Sequence, residues 1–480
     1  MQNSKPKGTI LVAGATGFIG QRLLLALKDY KVIALQRYQN IPPALKDATH
    51  IEWRQCDLFS LLQIEEASAG ADTAVYLVHS MLPSARLSQA NFSDTDLILA
   101  DNFVRACRKN GIQRILYLGG IIPFEESLSP HLQSRWEVEE TLRASGIPLT
   151  SLRAGLIIGA GGSSFEMMYL LVKRLPFMLC PHWTTHSLRP IDVRDVIASL
   201  CYCLDHPETQ GHTYDLAGPD TLTYRDLMLK TAELLGKKRW IVAVPFFNPR
   251  LSVLWVRIIT GASPTLIKPL VESLRSNMLP DARRQLLIPY YTYQTLDESL
   301  AHEMKELKPT LSKTHKTIRK RSHEASLVRS VQRLHLPAGH NAEWAAHEYL
   351  RWLPHFFFPF LMVQSDETIC RFRFFFLRKS LLRLKLSTTR SSPDRQLFYI
   401  VGGLLASKDN PKDSRLEFRE VLNGKYILAA IHNFSPSLPW YIYKYTQAVI
   451  HLWVMRRFDY HLQHGPRSKW SKQVPGYSQK

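Results

Sequence analysis

Residues Thr9–Leu27 read TILVAGATGFIGQRLLLAL. The first five are apolar and partly β-branched, as a buried strand requires, and the last seven repeat apolar residues at helical spacing. Between them lies Gly14-Ala15-Thr16-Gly17-Phe18-Ile19-Gly20. A glycine loop between strand and helix assigns each glycine a job: Gly14 permits the tight turn, Gly17 lets backbone amides approach a pyrophosphate, and Gly20 allows close packing. The helix N-terminus then offers N–H groups and partial positive charge to phosphate. Gly14, Thr16, Gly17, Phe18, Ile19 and Gly20 are therefore the expected phosphate-binding set.

Outward from this loop, Lys31–Leu35 (KVIAL) predicts the second strand, followed by Gln36-Arg37. NAD-specific sites place a carboxylate here to accept from the ribose 2′-hydroxyl. An arginine instead offers forked donors to a 2′-phosphate, so NADP(H) is expected over NAD(H), with a solvated surface arginine as the alternative. Strand and helix patterns then alternate to Ile158, which predicts an α/β fold with a doubly wound parallel Rossmann sheet. Ligands of such sheets sit at the carboxyl ends of the strands. That places Asp57, Leu58, Val78, His79, Ser80, Gly119 and Gly120 around the crevice, with Asp57 at the adenine edge and Val78 walling the ring.

ILVAGATGFIG, Cys56-Asp57-Leu58, LRAGLIIGAGGSSFE at Leu152–Glu166 and RPIDVRDV at Arg189–Val196 resemble the short-chain dehydrogenase/reductase superfamily, in particular its extended and atypical NmrA-like members. The resemblance covers roughly residues 8–300. It implies an N-terminal domain holding NADP(H) or NAD(H) and a small substrate lobe. It also implies a serine, tyrosine and lysine for catalysis, and here the sequence departs: Gly119-Gly120 replace the serine, and His131 and Arg135 replace the tyrosine and lysine. Arg135 can still bond a ribose hydroxyl, and His131 has a side chain suited to proton transfer near neutrality. The competing reading makes both residues part of a solvated helix face with Glu137, Glu139 and Glu140. His79 and Ser80, after the fourth strand, are a second catalytic candidate or simple loop caps. Glu166 is an acid aimed at substrate or a helix N-terminal charge. Trp240, Phe246, Phe247, Trp255 and Ile258 form a greasy wall or packing between lobes.

Residues 1–300 carry 31 basic and 28 acidic side chains, whereas residues 301–480 carry 30 and 13. Lys305–Arg333 holds nine basic and two acidic residues without strong periodicity and reads as a connector. Beyond it follow a strand at Val328–Leu336, a helix at Ala342–Leu353, six strands from Phe360 to Phe434, and one long helix at Trp440–Leu462. That order predicts an α+β helix-grip-like domain and resembles the START-like superfamily, whose curled sheet encloses an apolar cavity. Arg329–Arg333 (RSVQR), Tyr349–Pro354 (YLRWLP), Leu416–Val421 (LEFREV) and Leu438–Met455 (LPWYIYKYTQAVIHLWVM) resemble, over nearly the whole chain, bacterial two-domain proteins that join an atypical reductase domain to such a module. The expected organisation is 1–304, a cofactor domain with substrate lobe; 305–327, a basic linker; 328–465, the START-like domain; and 466–480, a flexible tail.

Six scattered cysteines without a C-x-x-C fit buried thiols in a reducing compartment, and no metal site is expected. The short polar lead before the first strand points to the cytoplasm. Arg371–Phe376 (RFRFFF) is the nearest approach to interleaved basic and aromatic residues, so nucleic acid is disfavoured. Peripheral contact with the inner face of an anionic membrane through the basic C-terminal part stays open. The expected function is an NADP(H)-dependent oxidoreductase acting on a hydrophobic carbonyl or quinone-like small molecule. The alternative is a non-catalytic NADPH-sensing or assembly-stabilising protein.

Overall fold

A computed structural model describes residues 6–79, 87–123, 128–244, 249–273, 277–307, 327–366 and 368–465. Ser80, Phe246, Phe247, most of the 305–327 segment and the 466–480 tail lie outside these residues. The chain divides into two compact units, residues 1–82 with 96–321, and residues 83–95 with 322–480.

The first unit begins with β1 (Thr9–Ala13), α1 (Phe18–Ala26), β2 (Lys31–Gln36), β3 (Ile51–Gln55), α2 (Leu61–Ala67) and β4 (Thr73–Tyr76). After β5 (Leu87–Gln89), which belongs to the other unit, come α3 (Phe92–Lys109), β6 (Arg114–Gly120), α4 (Pro130–Arg143) and β7 (Leu149–Ala154). Next are β8 (Ile157–Ile158), α5 (Ser163–Arg174), β9 (Phe177–Pro181), β10 (Ser187–Leu188), β11 (Ile191–Asp192), α6 (Val193–Asp205) and β12 (Thr213–Leu216). The unit closes with β13 (Leu222–Thr223), α7 (Tyr224–Leu234), β14 (Trp240–Val244), α8 (Pro249–Thr260), α9 (Pro264–Ser273) and α10 (Leu296–Glu306).

Seven strands form one parallel sheet in the order β12-β7-β6-β4-β1-β2-β3. Both faces are covered, which is why the strands read as continuous apolar runs instead of alternating ones. Leu11, Ala13, Ile33 and Tyr76 pack on one side; Ile10, Val12, Val32 and Val75 pack on the other. The chain reverses its direction of travel across the sheet between β1 and β4, which opens a crevice at their carboxyl ends. The single strand expected at Leu149–Ile158 is two strands. Gly155 and Leu156 break it, and β8 pairs with β11 outside the main sheet.

In the second unit the strands are β15 (Val328–His335), β16 (Leu361–Ser365), β17 (Ile369–Phe374), β18 (Leu382–Leu386), β19 (Arg395–Gly402), β20 (Arg415–Val421) and β21 (Tyr426–Phe434). With β5 they form an eight-stranded sheet in the order β16-β17-β18-β19-β20-β21-β15-β5. All neighbours are antiparallel except β15 and β5. The helix Ala342–Phe356 and the closing helix Gln447–His464 share a core with the sheet, where the Tyr349 ring lies 5.4 Å from Phe418 and 5.1 Å from Phe458. The single closing helix expected at Trp440–Leu462 is broken at Thr446 into Trp440–Tyr445 and Gln447–His464. Thr446 Oγ1 donates to the Ile442 carbonyl at 2.6 Å, a back-bond that competes with the helical ladder.

Candidate active site

The glycine loop turns as its sequence requires. Gly14 has φ +89°, and a Cβ there would lie 2.9 Å from the Leu77 carbonyl oxygen. A Cβ on Gly20 would lie 2.2 Å from the Gly14 carbonyl, so only glycine lets α1 start this close to the turn. Gly17 N–H donates to the Gly14 carbonyl at 2.9 Å and occupies the N-cap of α1 without any side-chain cap. The first turn of α1 carries no acidic residue, so its amides and dipole remain for an anion. These features fit a pyrophosphate: the loop is shaped by backbone alone and opens at the crevice edge. Phe18 instead packs away from it, against the glycine run at Gly159–Gly162, where a Cβ on Gly159 would lie 2.5 Å from the Phe18 ring. Arg22 ties the same run down through a 2.7 Å bond to the Ala160 carbonyl.

Arg37 directly follows β2, and its Nη2 lies 3.6 Å from Asp57 Oδ2 at the end of β3. Both side chains remain partly exposed. Asp57 also closes its own turn, accepting from the Phe59 N–H at 3.1 Å. Leu58 and Val78 pack at the margin of the adjoining core.

The residues in place of the usual catalytic set sit inside the protein, and this corrects the solvated-face reading of α4. Arg135, Glu137 and Glu139 are buried. Glu139 takes two 2.9 Å bonds from Arg153 and one from Arg143, a brace between α4 and β7. Arg135 Nη2 lies 3.2 Å from Asp96 of α3, a residue that sequence reasoning passed over as part of an ordinary helix. Ser134 Oγ donates to the same carboxylate at 3.4 Å. His79 completes the group: its Nδ1 donates to Asp96 Oδ2 at 2.8 Å, which fixes the tautomer and directs Nε2 elsewhere. Nε2 is buried and has no hydrogen-bond partner among the described residues.

The His131 ring lies 5.0 Å from that of His79. Burial pulls the His131 pKa down to about 4, so the near-neutral imidazole expected from sequence is instead uncharged at physiological pH. His131 and Gly120 stand at the wall of a cavity of about 210 Å³ formed largely by the lobe beyond β7. Met167, Met168, Met178, Met228 and Met278 line it, five of the ten methionines in the chain. Such side chains are apolar, flexible and polarisable, and they adapt to irregular hydrophobic shapes. Val256 of α8 joins the lining, whereas Trp240 and Ile258 are exposed and do not line this cavity. Glu166 is buried in the first turn of α5.

Comparison with known proteins supports the same half of the chain. Residues 14–169 match the NAD(P)H-binding family. The chain is 34% identical over 117 residues to auxiliary protein GraX of Staphylococcus aureus, covering 24% of this chain and 37% of that protein. It is 24% identical over 241 residues to ceramide reductase of Caulobacter vibrioides, covering 50% and 74%. The chain thus spans little more than a third of the length of GraX. The solved structure of a nucleoside-diphosphate-sugar epimerase from Staphylococcus aureus superposes with a TM-score of 0.51 at 18% identity, covering 61% of this chain and 99% of that one. That likeness establishes the Rossmann architecture around the NAD(P)H-binding segment. No described helix is long and apolar enough to cross a membrane.

Proposed function

We propose that the protein is an NADPH-dependent reductase of a hydrophobic carbonyl or quinone-like molecule. The observation that carries this reading is the methionine-lined cavity ending on Gly120 and His131 at the carboxyl edge of the sheet. A relative named ceramide reductase agrees with an apolar substrate. Gly14, Thr16, Gly17, Ile19 and Gly20 would hold the pyrophosphate, and Leu58 and Val78 would wall the adenine. Arg37, 3.6 Å from Asp57, would pair with a 2′-phosphate.

When bound, NADPH supplies the hydride that adds to the carbonyl carbon. The chain's own residues handle the proton. Asp96 holds His79 in one tautomer and stabilises the imidazolium, as carboxylates beside catalytic histidines do. Neutral His131, at the cavity wall beside the His79 ring, releases its N–H proton to the carbonyl oxygen as its other nitrogen takes one from the His79 imidazolium, and His79 is recharged from solvent. Arg135 anchors Asp96 and so acts as a positioning residue, while the methionine walls exclude water.

NADPH oxidation followed across a panel of hydrophobic aldehydes, ketones and quinones tests the proposal. The expected result is turnover that falls about a hundredfold or more in His79→Ala while NADPH affinity is retained. Tight binding without turnover on any member of the panel would replace this reading with a sensing or assembly role.

A further inference from the structure

The second unit exposes aromatic rings where a water-facing sheet edge normally carries polar ones. Antiparallel pairing sets Leu361 of β16 opposite Phe374 of β17, so the turn entering β16 lies beside the end of β17. There Phe358, Phe360, Phe375 and Phe376 are 74%, 53%, 59% and 61% exposed. Phe360, Phe375 and Phe376 form one cluster, with ring separations of 6.2 Å for Phe360–Phe375 and 5.2 Å for Phe375–Phe376, and Phe358 precedes it by two residues in the same turn. The closing helices extend the surface. Tyr441, Tyr445, Val449 and Trp453 recur every four residues and are all exposed. The Trp453 ring lies 4.9 Å from that of Phe356, tilted at 49°, next to the phenylalanine turn. An exposed apolar patch of this extent marks a binding surface.

Charge identifies what it binds. Residues 371–390 contain seven basic side chains and no acidic one, and residues 435–458 contain Lys444, Arg456 and Arg457 and again no acid. Arg378 and Lys379, directly after the phenylalanine cluster, are exposed, as is Lys444 between the tyrosines. A second copy of the chain would set like charges against each other. Phenylalanine, tyrosine and tryptophan bordered by lysine and arginine is instead the composition of a lipid–water boundary, where rings enter the headgroup layer and cations meet anionic phosphates.

We infer that the second unit docks on the surface of an anionic lipid bilayer through the Phe358–Phe376 cluster and the Tyr441–Trp453 stripe. The full chain is expected to sediment with vesicles containing about 30% phosphatidylglycerol in phosphatidylcholine and only weakly with phosphatidylcholine alone. The triple variant Phe358→Ser, Phe375→Ser, Phe376→Ser should lose about tenfold or more in partitioning. Arg378→Glu with Lys379→Glu should remove the preference for anionic vesicles. Thermal melts check that each variant is folded. Should the triple variant fold poorly, the single changes Phe358→Ser and Phe376→Ser are each expected to weaken binding about threefold. Absence of vesicle binding, or equal binding by folded parent and phenylalanine variants, overturns the inference. So does a concentration-dependent dimer that the phenylalanine variants abolish while vesicles are ignored. None of these readouts depends on NADPH turnover.

Discussion

Two buried carboxylates among cations, one in each unit, are balanced differently. Asp96 meets Arg135 and His79 beside a cavity. Glu417 lies in the middle of β20 between Arg415 and Arg419, whose side chains share its face of the strand. Arg395 of β19 reaches it at 2.6 Å, Arg419 Nε at 2.7 Å, and His432 of β21 at 3.2 Å. Burial alone would raise the Glu417 pKa, yet Arg419, Arg395 and His432 hold it well below the usual carboxylate range. Burial and then Arg415 push His432 down to about 3, so this histidine stays neutral. Three guanidinium groups around one carboxylate leave no room for another positive charge. Around Asp96 the chain sets Arg135 beside a histidine that can carry the second charge. The same residue types therefore make a fixed strut in one place and a proton-holding pair in the other.

The strut predicts the larger stability effect. Glu417→Ala leaves Arg395 and Arg419 facing each other in a buried site, which costs about 3–5 kcal/mol. Thermal unfolding by circular dichroism should show an earlier transition, with NADPH binding retained by the molecules still folded. A loss below about 1 kcal/mol would mean that the cluster is not holding the sheet together.

Asp96→Asn separates the two clusters by function. It keeps the shape of the side chain but removes the charge that Arg135 and His79 face, at a cost of about 1.5–3 kcal/mol. Turnover per folded molecule should fall about a hundredfold, because His79 loses its fixed tautomer and its counter-charge. If only the melting temperature moves, Asp96 is a second strut and the comparison collapses.

Sequence reveals some of these features more readily than others. The phosphate loop was legible because its constraints are local: the positive φ of Gly14 and the close approach at Gly20 involve residues a few positions apart. The order of strands and helices was legible for the same reason, since periodicity is a property of short windows. Asp96 was not, because its partners His79 and Arg135 lie 17 and 39 residues away and meet it only after β4, α3 and α4 have packed. The methionine cavity likewise gathers residues from Met167 to Met278 whose spacing has no pattern. β5 is three residues long, too short to announce a strand, and its parallel pairing with β15 joins segments far apart in the chain. The inward side of α4 was misjudged because its glutamates and arginines look solvated until Glu139 is seen bridging Arg143 and Arg153.

A third pair, Arg37 and Asp57, has the chemistry of the buried clusters without their enclosure, and it predicts the smallest effect. Its 3.6 Å contact is long and both partners are partly exposed. Exposed pairs contribute about 0–1 kcal/mol, so this contact is a weak competitor for the guanidinium, which also lies 5.3 Å from the Tyr38 ring. A 2′-phosphate is the stronger partner: a dianion that the forked donors of Arg37 match. Arg37→Glu exchanges donors for acceptors suited to a free 2′-hydroxyl. Parallel titrations should then show NADPH weakened by about tenfold, about 1.4 kcal/mol, with NADH unchanged or tighter. Asp57→Asn should act in the opposite direction by a few-fold, because it removes a negative charge beside the phosphate while leaving an oxygen to close the turn at Phe59. If neither change alters the ratio of the two affinities, the 2′-phosphate is not read at the ends of β2 and β3. If only Asp57→Asn does, the site discriminates by repulsion and Arg37 serves to neutralise that carboxylate.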